Sequence, residues 1–164
     1  MSLQLKKLKK KVLNWKQAEK IALELKAKHK KLVFSNGCFD ILHHGHVEYL
    51  SKSSDFGDIL MIGLNTDASV GRLKGKGRPV NTEHSRALVL AALEFVDYVV
   101  LFDQDTPYEL INLVQPDILV KGKDYKAEQV VGYDIVTARG GHVKTIDLVE
   151  GFSTSEIIEK LRKL

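Results

Sequence analysis

FSNGCFDILHHGHVEYL, residues 34–50, opens as a strand and closes as a helix. The run Leu32, Val33, Phe34 is apolar, a glycine-bearing loop follows, and His43 and His46 then stand three residues apart where the chain turns helical. Backbone N–H groups and the positive end of a helix dipole attract anions at such a turn. Two imidazoles on one face of the first turn add donors aimed at the same place, so the stretch reads as a phosphate site. Gly45 between them leaves room for a ligand to approach the backbone. His44 should point elsewhere. Zinc is a poor alternative, because no cysteine or carboxylate nearby completes a ligand set with the histidines.

Outward from this stretch, short runs rich in Val, Ile and Leu recur at Ile59–Leu64, Tyr98–Phe102, Ile118–Val120 and Val143–Ile146. They have the look of strands buried on both faces. Helical patterns lie between them at His46–Lys52, Glu83–Glu94, Pro107–Val114 and Ser153–Leu164. An amphipathic helix precedes them all, with Ala18, Ile21, Ala22 and Leu25 on one face and Asn14 and Gln17 placed as a capping pair. Thr106 with Glu109, and Ser153 with Glu156, carry the spacing of two further capping boxes. Repeated strand–helix alternation predicts an α/β fold with right-handed crossovers and a parallel sheet of about five strands. Ligands of such sheets bind beyond the carboxyl ends of the strands where strand order reverses, which makes Ser35 to His43 the prime site.

The 164 residues, 44% of them hydrophobic, can bury one sizeable core. A single domain over residues 14–164 is expected, preceded by a basic segment, 1–13, that would fray in solvent. Five lysines crowd into Lys6 to Lys11, and without them the net charge of +4 falls close to neutral. No aromatics are interleaved with that run, so nucleic acid is not an expected partner. No apolar stretch approaches the ~20 residues of a membrane span and no secretory core is present, which points to the cytoplasm. One cysteine, Cys38, excludes an internal disulfide and fits a reducing compartment.

Several blocks in fixed order resemble a known family: FSNGCFDILHHGHVEYL, LNTDASVGRLKGKGRPVN, the Arg86 helix with VLAALEFVDYVV, DQDTPYELI, PDILVKGKDY, VVG, GGHV and GFSTSEII. The resemblance covers about Lys31 to Leu164. On these blocks the chain resembles the HxGH nucleotidyltransferase superfamily. More narrowly, it is similar to the D-glycero-β-D-manno-heptose 1-phosphate adenylyltransferases, found as one domain of a bifunctional kinase/adenylyltransferase or as free-standing enzymes. The resemblance implies a Rossmann-like three-layer sandwich that turns ATP and a heptose 1-phosphate into ADP-heptose and pyrophosphate, for lipopolysaccharide or another surface glycan. Mg²⁺ would arrive with ATP, because the sequence offers no dedicated carboxylate cluster for it. The resemblance also implies a homo-oligomer that works after a separate heptose 7-phosphate kinase.

Roles follow for particular residues. Adenylyl transfer needs two anions positioned and charge stabilised on the transferring group, without a covalent intermediate. His43 and His46 suit this as neutral donors, since a helix N-terminus disfavours the imidazolium, although bound polyphosphate would push the other way and leaves their charge state open; Lys76 joins them as a catalytic candidate. The basic loop Arg72 to Pro79 reads as a mobile phosphate clamp or an ordinary solvated loop, with Lys74, Lys76 and Arg78 the residues to reach phosphate. Arg86 matches a phosphate-contacting arginine of related enzymes, its alternative being an ion pair with Glu83. Gly151 to Ser155 opens the last helix, where Phe152, Ser153 and Thr154 would hold triphosphate as well as cap the helix.

Lys121, Gly122 and Asp124 follow the fourth strand and would line the adenine and ribose region. Cys38, Phe39, Asp40 and Gly45 belong to the nucleotide-binding loop, although the chemistry has no use for a thiolate at Cys38. Asn36, Asp40 and Asp67 near strand ends are substrate-binding candidates, with Asp40 equally readable as a turn cap. Rival functions are a glycerol 3-phosphate-type cytidylyltransferase, an FMN adenylyltransferase and a nucleotide-binding regulator without turnover. The cytidylyltransferases carry an Arg-Thr pair before the last motif, where this chain has Asp147-Leu148-Val149-Glu150.

Overall fold

Three aspartates standing just before apolar runs set the sheet's register in the computed structural model, which describes residues 2–123 and 126–164. Asp58 accepts from the Lys31 N–H at 2.8 Å while its own N–H donates to the Lys31 carbonyl. Asp97 does the same to Leu60, and Asp117 to Leu32. Each carboxylate thus satisfies the N–H that opens a neighbouring strand, and a one-residue slip would cost that charge-assisted bond.

In chain order the elements are α1 (Leu3–Lys11), β1 (Val12–Leu13), α2 (Trp15–Ala27), β2 (Leu32–Gly37), α3 (His44–Ser54), β3 (Ile59–Asn65), α4 (Asp67–Lys74) and α5 (Glu83–Ala91). They continue with β4 (Tyr98–Phe102), α6 (Tyr108–Val114), β5 (Ile118–Gly122), α7 (Tyr133–Thr137), β6 (His142–Ile146) and α8 (Thr154–Arg162). The sheet is six-stranded and parallel throughout, in the order β1-β4-β3-β2-β5-β6. From β2 the chain builds outward through β3 and β4 on one side, then returns to lay β5 and β6 on the other. The switch point therefore lies at the carboxyl end of β2, as the alternation predicts.

Strand residues alternate between two cores. Val33, Leu60, Ile62, Leu64 and Val99 face Leu50 and Leu90 on one side. Leu32, Phe34, Met61, Val100 and Phe102 face Ala18, Leu110 and Ile111 on the other. This three-layer arrangement is the expected one. The sixth strand is the addition: β1 pairs Val12 with Val99 and Leu13 with Val100, and two residues carry no alternation that a sequence reading could detect.

Of the basic segment expected to fray, Leu3–Lys11 is helical and Val12–Leu13 pairs with β4. Lys11 Nζ donates to the Val96 carbonyl at 2.7 Å, and just beyond, Trp15 Nε1 donates to the Leu101 carbonyl at 2.8 Å. The Asn14–Gln17 capping box is present in both directions. The one expected from Thr106 and Glu109 is not: Pro107 occupies the N-cap position without a side-chain bond, and Glu109 instead accepts from Gln104 Nε2. Strands β2, β3 and β5 run past their apolar runs to Gly37, Asn65 and Gly122, because ladder pairing with neighbours continues there. Polar side chains are thereby fixed at the carboxyl edge.

Candidate active site

The carboxyl edge opens into a cavity of about 630 Å³, lined by the loop after β2, the start of α3, the end of α4, the ends of β3 and β5, and the start of α8. His43 is the N-cap of α3, extended at φ −142° and ψ 172°, with no side-chain cap bond. The His46 N–H donates to the His43 carbonyl at 2.9 Å, a tight first turn that stacks the two imidazoles with centroids 3.8 Å apart and planes 24° off parallel. Phe39, left-handed at φ 43°, sets its ring edge-on to His46 at 5.2 Å. A Cβ at Gly45 would lie 3.2 Å from Nδ1 and Cε1 of His43 and from Cβ of Phe152. Gly45 itself lines the cavity, and a side chain there would crowd His43 and Phe152, so the absent Cβ serves the open space and the packing of these two side chains alike.

Nδ1 of both histidines is buried without a hydrogen-bond partner. Burial pushes His46 down to about 4, with the neighbouring His43 adding to the effect and the Ile41 backbone opposing it. Burial also lowers His43, against the pull of Glu156. Both shifts favour the neutral imidazole near pH 7, and their main cause is desolvation rather than the helix dipole. His44 points away, paired with Glu48 at 3.2 Å, and its ring lies 5.0 Å from that of Phe152.

Asp40, 3% exposed, is a latch. Its carboxylate accepts from Arg78 Nε at 2.6 Å and from the N–H groups of Val80 and Asn81, while Asn81 Nδ2 donates to the Asp40 carbonyl. Burial would raise this carboxyl, but the Asn81 and Val80 N–H groups and the Arg78 guanidinium outweigh it and hold it below the ordinary aspartate value. Neither sequence reading anticipates these partners: they are not those of a cap on Asp40's own turn but belong to a segment about forty residues away, and Asp40 still lines the cavity. The segment read as the loop Arg72–Pro79 is helical up to Lys74, and only the stretch from Gly75 onward leaves the helix. Arg72 is taken by Asp103 and Asp105. Lys74 lines the cavity; Lys76, between Gly75 and Gly77 with φ of 84° and 85°, stands at the loop tip outside the lining.

Arg86 is placed differently from the expected phosphate contact. Its side chain has no exposed surface, does not line the cavity and binds protein acceptors: the carbonyls of Cys38, Asn65 and Asn81, and Asp67 Oδ1. Nor does it pair with Glu83, which instead accepts from the Asp67 N–H. Asp67 is likewise outside the lining. Asn36 lines the cavity with a buried Oδ1 that has no partner, and Lys121 Nζ donates to the Asn36 carbonyl at 3.2 Å. Burial pushes the Cys38 thiol up, opposed by Lys74, Arg86 and Arg78, which leaves it protonated as the chemistry wants. Asp124 lies outside the described residues.

From the other side, α8 brings Phe152, Ser153 and Thr154 to the cavity. Ser153 Oγ accepts from the Glu156 N–H, and Thr154 Oγ1 donates to the Ile41 carbonyl at 3.3 Å. Leu148 and Val149 line the wall without supplying a cation. Sequence reasoning missed Tyr49, whose hydroxyl bonds Ser35 Oγ at 2.8 Å and the Val120 carbonyl beneath the site. It also missed Asn65, which donates to Ser69; a polar residue ending an apolar run was the available signal. Among the described residues no group of three or more His, Cys, Asp or Glu could hold a metal, and no helix is long and apolar enough to cross a membrane.

Residues 34–160 match the family model described as cytidylyltransferase-like. The chain is 58% identical over 147 residues to the bifunctional protein HldE of Campylobacter jejuni, covering 90% of this chain and 31% of that protein. It is 54% identical over 151 residues to the bifunctional protein HldE of a Nitratiruptor species, covering 92% and 32%. The chain thus spans about a third of the length of these curated relatives. Among solved structures, the lipopolysaccharide core biosynthesis protein from Thermoplasma volcanium superposes with a TM-score of 0.59 at 32% identity, over 73% of this chain and 97% of that one.

Proposed function

This chain belongs to the cytidylyltransferase-like family of nucleotidyltransferases, and we propose that it transfers the adenylyl group of ATP to D-glycero-β-D-manno-heptose 1-phosphate, giving ADP-heptose and pyrophosphate. The observation that carries the reading is the stacked, neutral imidazole pair on the wall of a cavity shared with Lys74 and the start of α8. Similarity to the lipopolysaccharide core biosynthesis protein of Thermoplasma volcanium supports a surface-glycan role.

The reaction needs an acceptor phosphate oxygen in line with the α-phosphorus of ATP. The new P–O bond forms as the bond to the bridging oxygen breaks, and that electron pair leaves with pyrophosphate. His43 and His46 donate N–H to the oxygens on which charge builds. The Nδ1–Cε1 edge of His43 faces Gly45, so Nε2 is the nitrogen offered. Ser153, Thr154 and the first N–H groups of α8 hold the triphosphate, Phe152, Lys121 and Gly122 border the nucleoside, and Cys38 and Phe39 shape the loop beneath. Lys74 meets phosphate from the end of α4 and Lys76 when the loop tip closes, and the buried Asn36 Oδ1 accepts from a substrate hydroxyl.

The substrate is MgATP, its cation carried by the phosphates. Two carboxylates of the wall, Asp40 and Asp105, are already held by Arg78 and Arg72. The acceptor places the enzyme after a heptose 7-phosphate kinase, and the assembly is proposed to be a homo-oligomer in the cytoplasm.

The family description keeps CTP in view. Against it, the segment before Gly151 offers Leu148 and Val149 to the cavity where a cytidylyltransferase would present arginine. The test is pyrophosphate release with ATP or CTP, each against heptose 1-phosphate, glycerol 3-phosphate and FMN. Release with ATP and the heptose alone is expected. Release with CTP and glycerol 3-phosphate would replace the reading, and ATP binding without release from any pair would make the chain a regulator.

A further inference from the structure

We infer that Arg86 is the positioning residue of the site: it holds the histidine loop, the end of β3 and the phosphate clamp in register without touching substrate. A guanidinium has five N–H donors in a rigid planar fork. Here Nη1 donates to the Cys38 carbonyl at 2.7 Å and the Asn65 carbonyl at 2.8 Å, Nη2 to Asp67 Oδ1 at 2.7 Å, and Nε to the Asn81 carbonyl at 3.0 Å. The four acceptors belong to four different segments: the loop after β2, the last residue of β3, the first residue of α4, and the return of the clamp just before α5.

Two consequences follow from this placement. The side chain is 0% exposed, so an incoming phosphate has no route to it while these bonds stand. The clamp is anchored twice on its return side, by Asp40 through Arg78, Val80 and Asn81 and by Arg86 through the Asn81 carbonyl. On its outgoing side it is held by α4, whose first residue is bound to the same guanidinium. Only the tip from Gly75 to Gly77 is left to move, and nothing lies within 4 Å of where a Cβ would stand at either glycine. Arg86 thus fixes the base of the loop that carries Lys74 and Lys76. Lysine cannot substitute, because one ammonium cannot span four acceptors laid out around a planar fork.

The kinetic part of the test rests on the proposed adenylyl transfer; the structural part does not. Arg86→Lys and the milder Asp67→Asn, at a residue 40% exposed, are compared with wild type. In ligand-free protein, trypsin cleavage after Lys74 and Lys76 is followed against the melting temperature. Cleavage should be roughly tenfold faster in Arg86→Lys and less so in Asp67→Asn, since the loop base opens locally. With substrates, kcat/KM should fall roughly 10²-fold in Arg86→Lys, through kcat and the acceptor KM as well as the ATP KM, as expected of misplaced groups. A rise in the ATP KM alone, with ligand-free cleavage unchanged, would make Arg86 a phosphate contact and overturn the inference. So would cleavage accelerated only in proportion to a global loss of melting temperature. If Arg86→Lys does not fold, Asp67→Asn decides, and wild-type cleavage in that variant overturns the inference. A wild-type protein that releases no pyrophosphate refutes the proposed reaction while leaving the cleavage result to judge Arg86.

Discussion

Lowering the pH from 7 to 5 should destabilise this protein chiefly through His46, and the size of the effect follows from the site. Burial against Phe39 and His43 takes His46 from an ordinary 6.5 to about 4. Between those values the unfolded chain binds a proton that the folded chain refuses. Stability therefore rises with pH across the window and is lost as pH falls through it, at up to about 1.4 kcal/mol per unit. Integrated from pH 7 to pH 5, the loss is about 2 kcal/mol, a substantial fraction of the ~5–15 kcal/mol of a typical domain. Urea titrations followed through the single tryptophan, Trp15, measure it. The readout is the difference between wild type and His46→Gln, which removes that ring and leaves the other histidines in place. Identical pH dependence in the two proteins, or a His46 ring that titrates near 6.5 by NMR, would refute the assignment of burial as the cause.

His46→Ala should lower kcat by roughly 10²-fold or more while leaving ATP affinity nearly intact, because the lost donor acts in the transition state; an unchanged kcat would remove the residue from the mechanism. Lys76→Ala, at an exposed loop tip, should weaken phosphate binding and change stability by no more than about 0.5 kcal/mol, checked by calorimetric titration with ATP beside a melting curve. Gly45→Ala places a methyl 3.2 Å from His43 and Phe152. It should cost about 1–3 kcal/mol by overpacking and depress kcat as the stacked pair is pushed apart. Wild-type activity in that variant would show that the pair tolerates displacement.

Much of the site could be read along the chain because its chemistry is local. His43, Gly45 and His46 lie in one helical turn, so their spacing alone brings them together, and Ser153 with Glu156 caps α8 within four residues. Arg86 could not be read that way. A cation in the first turn of α5, just after a basic loop, looks like one more phosphate ligand until its four acceptors, from residues 38, 65, 67 and 81, are seen to close around it. Asp40 is similar, since its partners lie about forty residues away. The capping box at Thr106 failed for a related reason: Pro107 took the cap position and Gln104 took the glutamate.

Hydrophobic periodicity and turn chemistry, which act over a few residues, determined by themselves the alternating α/β order, the parallel sheet, the switch point after β2 and the histidine pair. Tertiary structure alone decided the two-residue edge strand, the loss of exposed surface at Arg86 and the burial that holds the imidazoles neutral. Each of those depends on which distant segments exclude water from a given atom, and desolvation is set by the assembled neighbours rather than by the residues adjacent in the chain.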